Sequence, residues 1–311
     1  MKDSFGREIS YLRISITQRC NLNCVYCGKE DCSKKATELT PEMYYRIVKA
    51  FAQCGITKVR ITGGEPLVRA DVTEIVRLIA SVEDIETIAL TTNAVYLKRY
   101  AKALKEAGLT GVNISLDSTD GSTYRHLTGA DVLDKVFAGI EAAELAGLAP
   151  IKINAVLMKG VNADGAEALI HLAKEKPVDV RFIELMPFSD NGENEALRVS
   201  GNEILTQFPF LQPVESEEGT AKYYQGEGFR GRVGFINPVS QRFCSECNRI
   251  RLLCDGKIKP CLGQEKTFDI LPLLNDEQRV CEEIKKIIFQ KPAGHNFELK
   301  QQTHGLNKTG G

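Results

Sequence analysis

The chain has 311 residues, 43% of them hydrophobic and 26% charged, enough to bury a sizeable core and inconsistent with a disordered polymer. Forty basic and 41 acidic residues leave a net charge of −1, so no basic excess marks a binder of nucleic acid or anionic membrane. The first ten residues lack an apolar run of signal-peptide length, and no stretch approaches the ~18 apolar residues of a membrane helix. The expected address is the cytoplasm, where ten cysteines point to metal binding or catalysis rather than disulfides.

Residues 12–16, 58–62, 87–91, 111–116, 151–157 and 178–185 read as buried strands. Helical patterns alternate with them. The first opens at Thr40-Pro41-Glu42, an N-cap followed by proline, and stops near Gly55; others cover 71–81, 95–107, 131–146 and 163–175. Six strand–helix repeats predict an α/β fold with a parallel sheet, either open and doubly wound or a partial barrel. Polar groups end five of the strands: the cysteines after the first, Gly63-Gly64-Glu65-Pro66, Thr91-Thr92-Asn93, Ser115-Leu116-Asp117 and Glu184-Leu185-Met186-Pro187. Sites on so many strand ends favour a barrel mouth. From about residue 190 the alternation fades, and a last helix is expected over 276–290.

Cys20, Cys24 and Cys27 follow the first strand within eight residues. Three thiolates on a four-iron cluster leave one iron open to a chelating ligand. Zinc, with Cys32 as fourth ligand, is the competing reading. A second trio, Cys244, Cys247 and Cys261, brackets a hairpin turning at Asp255-Gly256. Zinc remains open here too, through Cys254, although a packed free thiol is the commoner fate of such a cysteine. Alternation puts Arg249 and Arg251 on one hairpin face, and Arg13, Arg60 and Lys152 between apolar neighbours on their strands. In a helix-covered sheet these cations face the barrel interior, where a polyanion or structural carboxylates such as Glu65 and Glu184 must meet them.

The first trio together with Gly63-Gly64-Glu65-Pro66 resembles the signature of the radical S-adenosylmethionine superfamily. Both trios, Asn248-Arg249-Ile250-Arg251, Asp3-Ser4-Phe5-Gly6-Arg7, Tyr11-Leu12-Arg13-Ile14-Ser15 and Leu127-Thr128-Gly129 resemble, over nearly the whole chain, the GTP 3′,8-cyclase family of molybdenum cofactor biosynthesis. That resemblance implies a partial six-fold TIM-type barrel over 1–210 and a C-terminal region, 211–311, with an auxiliary cluster. It implies two [4Fe-4S] clusters, on Cys20, Cys24 and Cys27 and on Cys244, Cys247 and Cys261. S-adenosylmethionine is cleaved at the first, and the resulting radical takes hydrogen from C3′ of GTP before C3′ closes on C8; the second binds the guanine. It further implies GTP contacts from Arg13, Arg60, Thr91, Lys152, Arg249 and Arg251. Contacts to S-adenosylmethionine fall on Tyr26, Gly64, Ser115 and Met186, and Gly310 and Gly311 assist catalysis from the tail. A flavodoxin- or ferredoxin-type reductant, a homodimer, and the cyclic pyranopterin monophosphate synthase as the next enzyme are implied as partners. Gly28, Ala94, Cys254, Lys308 and Thr309 depart from the family pattern. Competing readings are another radical S-adenosylmethionine enzyme with one auxiliary cluster, or a zinc-bearing binding module.

Overall fold

The computed structural model describes residues 1–27, 38–215, 219–297 and 306–309. Six strands lie side by side in chain order, each parallel to the next: β1 (Tyr11–Ser15), β2 (Lys58–Thr62), β3 (Thr87–Thr92), β4 (Gly111–Ser115), β5 (Ile151–Leu157) and β6 (Val178–Glu184). The crossovers carry α1 (Pro41–Ala52), α2 (Val72–Ala80), α3 (Leu97–Glu106), the short α4 (Gly121–Thr128), α5 (Leu133–Leu145) and α6 (Ala166–Glu175). α1 starts where Thr40 accepts a hydrogen bond from the Met43 amide at 3.3 Å. α4 is absent from the sequence expectation; Asp120 caps its start and Gly129, at φ 74°, ends it. Leu12, Ile14, Val59 and Ile61 lie beneath the helices with at most 1% exposure, so the intervening residues face the other side.

That other side is concave. β1 and β6 are five strands apart, roughly 24 Å along a flat sheet at about 4.8 Å per strand. Yet the charge of Arg181 on β6 depresses the basicity of Arg13 on β1 and of Arg60 on β2. The sheet therefore curls into an open barrel with these side chains inside.

Both edges are extended by the C-terminal third. β9 (Val233–Ile236) adds parallel to β6, and β8 (Lys222–Gln225) and β7 (Gln212–Val214) follow antiparallel. β10 (Arg249–Leu252) adds parallel to β1, and β11 (Lys257–Lys259) and β12 (Phe268–Asp269) continue outward. The region from 190 to 240, which reads as irregular in the sequence, thus holds three strands and the short helices α7 (Asp190–Glu193) and α8 (Gly201–Leu205). α9 (Glu277–Phe289) packs against α1, and α10 (Leu306–Thr309) closes the described chain. Ala94 has φ 61°, a left-handed conformation that favours glycine, at the position where glycine is usual in the resembled family.

Candidate active site

The first cysteine loop is braced before it begins. Between β1 and Cys20 the chain is bonded to the glycine turn after β2: the Gly64 amide donates to Thr17 O and the Glu65 amide to Arg19 O, both at 2.7 Å. A Cβ on Gly63 would sit 2.6 Å from Thr17 O, and one on Gly64 2.3 Å from Arg19 O, so only glycine permits this approach. Glu65 does not meet the chamber cations. Its buried carboxylate accepts from the Leu67 amide, the Thr92 hydroxyl and the Asn93 amide at 2.7–2.9 Å. Burial pushes its pKa up to about 7, against the pull of those donors. Asn93 then donates to Asn21 Oδ1 at 2.9 Å, so the ends of β1, β2 and β3 form one hydrogen-bonded unit around the cysteines.

The loop itself folds back on α4. Asn23 and Val25 amides donate to Thr128 O and Leu127 O, and the Cys27 amide closes a turn onto Cys24 O at 3.1 Å. Burial pushes the Cys24 thiol well above its ordinary pKa, and the charges of Asp117, Cys27 and Cys20 add to the rise, so the three thiols lie within electrostatic reach of one another. Tyr26 packs its ring near Leu127, Met158 and Leu185 and donates its hydroxyl to Asp117 Oδ2 at 2.6 Å. Asp117 also receives the Val156 amide at 2.8 Å, and burial raises its pKa to about 6. Ser115 ends β4 in register with Asn154, and Met186 follows β6 half-buried.

The second trio does not share this mouth. Cys244 and Cys247 immediately precede β10, which runs parallel to β1, and Cys261 follows the antiparallel β11. All three therefore lie at the N-terminal end of the barrel strands, and the first trio at the C-terminal end. The expectation of a barrel mouth concerns the residues that end the strands; the sequence assigns the second trio to neither end. The four or five residues of β1 and β10 between them span roughly 15 Å at about 3.3 Å each. Arg7 holds the lower end: it pairs with Asp3 at 2.6 Å and donates to the carbonyls of Cys244 (2.7 Å), Pro292 (2.6 Å) and Ala293 (3.0 Å). Burial would raise the Cys247 thiol, but the cations of Lys291 and Arg249 outweigh it and lower the pKa; Cys261 stays raised by burial. Among the described residues no three ligating side chains are gathered as around a single metal ion. Each trio instead offers soft thiols alone, spread along a loop, which is the donor chemistry of an iron–sulfur cluster. Cys254 is fully buried.

Between the trios lies a row of cations. Arg251, Arg13 and Arg60 are direct register partners across β10, β1 and β2. Like charges side by side on one sheet face repel. Burial lowers Arg13 to about 9 and Arg60 to about 10, with neighbouring arginines contributing, and burial together with Arg13 and Arg249 also holds Arg251 well below its ordinary value. Nε of Arg13 and Nε of Arg60 are buried with no hydrogen-bond partner, as is the Thr91 hydroxyl on β3. No ion pair to a carboxylate joins Arg13 or Arg60 among the described residues. Glu184, the other anticipated carboxylate partner, accepts from the Val239 and Ser240 amides instead. Lys152 and Asn154 alternate with buried Ile151 and Ile153 and face the same space, and Arg249 donates to the Thr220 hydroxyl at 2.7 Å.

Three contributors escaped sequence reasoning. Arg181 on β6 donates to Asn154 Oδ1 (2.9 Å) and Asn113 Oδ1 (2.7 Å) inside the chamber. The alternation that flagged Arg60 also flags Arg181, between Val180 and Phe182. Lys291 acts on a distant carbonyl and left no local signal, and Arg7 appeared only within the resembled segment Asp3-Ser4-Phe5-Gly6-Arg7, with no role assigned to it. The tail does reach the site: the Leu306 amide donates to Cys27 O at 2.9 Å, and Arg251 donates to Thr309 O at 3.3 Å. Gly28, Gly310 and Gly311 lie outside the described residues, as does the side chain of Lys308.

An open α/β barrel with a three-cysteine loop after its first strand, zipped to a Gly-Gly-Glu-Pro turn, defines a radical S-adenosylmethionine protein. Residues 14–173 match the family model of the radical SAM superfamily, and residues 178–297 match that of the molybdenum cofactor synthesis C-terminal domain. The chain belongs to the GTP 3′,8-cyclase family. It is 46% identical to the GTP 3′,8-cyclase of Alkaliphilus oremlandii with both chains fully covered. It is 42% identical to that of Thermodesulfovibrio yellowstonii, covering 96% of this chain and 97% of that one, and 41% identical to that of Clostridium acetobutylicum, covering 96% and 95%. Among solved structures, SuiB of Streptococcus suis bound to S-adenosylmethionine superposes with a TM-score of 0.65 at 15% identity, over 86% of this chain and 65% of that one, a likeness of fold. No helix among the described residues is long and apolar enough to cross a membrane.

Proposed function

We propose that this chain converts GTP to (8S)-3′,8-cyclo-7,8-dihydroguanosine 5′-triphosphate, with two [4Fe-4S] clusters held by Cys20, Cys24 and Cys27 and by Cys244, Cys247 and Cys261. When bound, the clusters supply reductive cleavage of S-adenosylmethionine, hence the radical that takes hydrogen from C3′, and an open iron for the guanine. The protein's own residues do the rest. Gly63 and Gly64 let their turn lie flush against Thr17 and Arg19, which leaves the turn's backbone to receive the methionine moiety. Asp117 fixes the Tyr26 hydroxyl, and Ser115 and Met186 line the neighbouring strand ends. Arg13, Arg60, Lys152, Arg249 and Arg251 hold the triphosphate, with Thr91 beside them; the long barrel axis lets one nucleotide span from one trio toward the other. Thr309 stands against Arg251, and Gly310 and Gly311 beyond it are assigned to assist ring closure.

The observation that carries this reading is the in-register row Arg251–Arg13–Arg60 between the trios, with two buried guanidinium nitrogens unsatisfied. A triphosphate neutralises such a row and meets its donors. By the same reading the reductant is of the flavodoxin or ferredoxin class, the product passes to the cyclic pyranopterin monophosphate synthase, and the enzyme is a cytoplasmic homodimer. The test is an anaerobic assay with GTP and S-adenosylmethionine that follows 5′-deoxyadenosine and the cyclised nucleotide together. Equal accumulation is expected. Deoxyadenosine without cyclised nucleotide, in protein loaded with both clusters, refutes the substrate assignment.

A further inference from the structure

Lys291, just beyond α9, is 2% exposed. Among the described residues its hydrogen bond runs from Nζ to the Pro260 carbonyl at 2.7 Å, and no carboxylate lies within ion-pair distance. An ammonium has three donors, and its charge is expensive to bury unless an anion meets it. The other buried cations at this end of the barrel are provided for: Arg7 pairs with Asp3 at 2.6 Å, and Lys259 feels the charge of Glu265. What faces Lys291 is the second trio. Pro260 immediately precedes Cys261, and the favourable charges acting on Lys291 are those of Cys247 and Cys261, with Arg7 and Arg251 opposing.

We propose that Lys291 is a positioning residue whose ammonium counterbalances the negative charge of the second, thiolate-held cluster and raises its reduction potential. This rests on the two-cluster reading above. Three thiolates on a cubane make an anionic assembly, and accepting one electron adds a further negative charge. A fixed cation buried beside it favours the reduced form, because low-dielectric surroundings screen the attraction little. The bond to Pro260 O anchors the charge next to Cys261.

Two substitutions separate charge from architecture. Lys291→Gln removes the charge and keeps a donor for Pro260 O; Lys291→Met removes both. Iron and sulfide are counted in anaerobic holoenzyme, which is then titrated with dithionite and followed by EPR, the first cluster being recognised by its response to added S-adenosylmethionine. Both variants are expected to disfavour reduction of the second cluster about tenfold at a fixed ambient potential, about 59 mV for a one-electron couple, leaving the first cluster unmoved. Should Lys291→Met shed the second cluster, Lys291→Gln alone decides. A Lys291→Gln enzyme with the wild-type potential overturns the proposal and leaves Lys291 a structural tether. Wild-type protein with only about four irons and four sulfides fails the two-cluster reading itself, a result that no potential measurement can imitate.

Discussion

Replacing Arg60 with methionine should make the substrate-free protein more stable while crippling its use of GTP. A guanidinium ordinarily titrates above pH 12, whereas burial and the charges of Arg181 and Arg249 bring Arg60 down to about 10. At about 1.36 kcal/mol per pH unit, that fall places roughly 3 kcal/mol of strain on the cation. Relaxation of the half-buried side chain and water in the chamber reduce this, so a gain of about 1.5 kcal/mol is expected for Arg60→Met, or about 3 °C in thermal midpoint. The lost charge-assisted bond to phosphate costs about 1.5–3 kcal/mol in binding, ten- to a hundredfold in KM for GTP. The assay is thermal unfolding of anaerobic holoenzyme with and without inorganic triphosphate. Wild type should gain strongly from the polyanion by mass action, and Arg60→Met should start higher and gain less. A variant that melts below wild type and responds to triphosphate as wild type does would refute the account of the arginine row.

Arg251→Ala should lower cyclised nucleotide at least tenfold while 5′-deoxyadenosine release stays within a few-fold, measured together by chromatography; loss of both with iron retained contradicts its placement on GTP. Glu65 has a folded pKa raised to about 7 by burial, so its protonation favours the folded state. That contribution is full below pH ~4.5 and is lost as pH rises through 7, up to about 3 kcal/mol in all. Wild type should therefore lose more stability than Glu65→Gln between pH 5 and pH 8, read by denaturant titration at each pH. Ala94→Gly relieves the left-handed backbone and should raise stability by about 0.5–1 kcal/mol, visible as a small rise in the chemical midpoint.

The six barrel strands were legible as short apolar runs, five of them interrupted by a cation or amide pointing inward, as in Leu12-Arg13-Ile14 and Ile151-Lys152-Ile153, and β3 by Ala89 and Thr91. The hairpin between Cys247 and Cys261 was legible through Asp255-Gly256, with Gly256 at φ 83°. What alternation cannot carry is long-range pairing. Nothing local in Arg249–Leu252 says that it joins β1 or that it runs parallel to it, and that direction sets the second trio at the opposite end of the barrel from the first. Lys291 was invisible for the same reason, since it is met by a carbonyl from another part of the chain, and the reach of Arg7 to Cys244 O is equally long-range although its pair with Asp3 is local. β7, β8 and β9 were missed because they have three or four residues each, too few to show a period.

The pairing of β1 with β10 also has a meaning for synthesis. The first barrel strand to leave the ribosome has one neighbour available soon, β2, and must wait for nearly the whole polypeptide before its other flank is covered. Until then it carries an open row of peptide groups, the kind of border at which chains adhere to one another. A message cut short anywhere before Arg249 yields an uncovered edge and an arginine row missing one member. The nucleotide chamber is thus finished only when translation is nearly over, and a nascent half-barrel has no enclosed space in which to generate a radical.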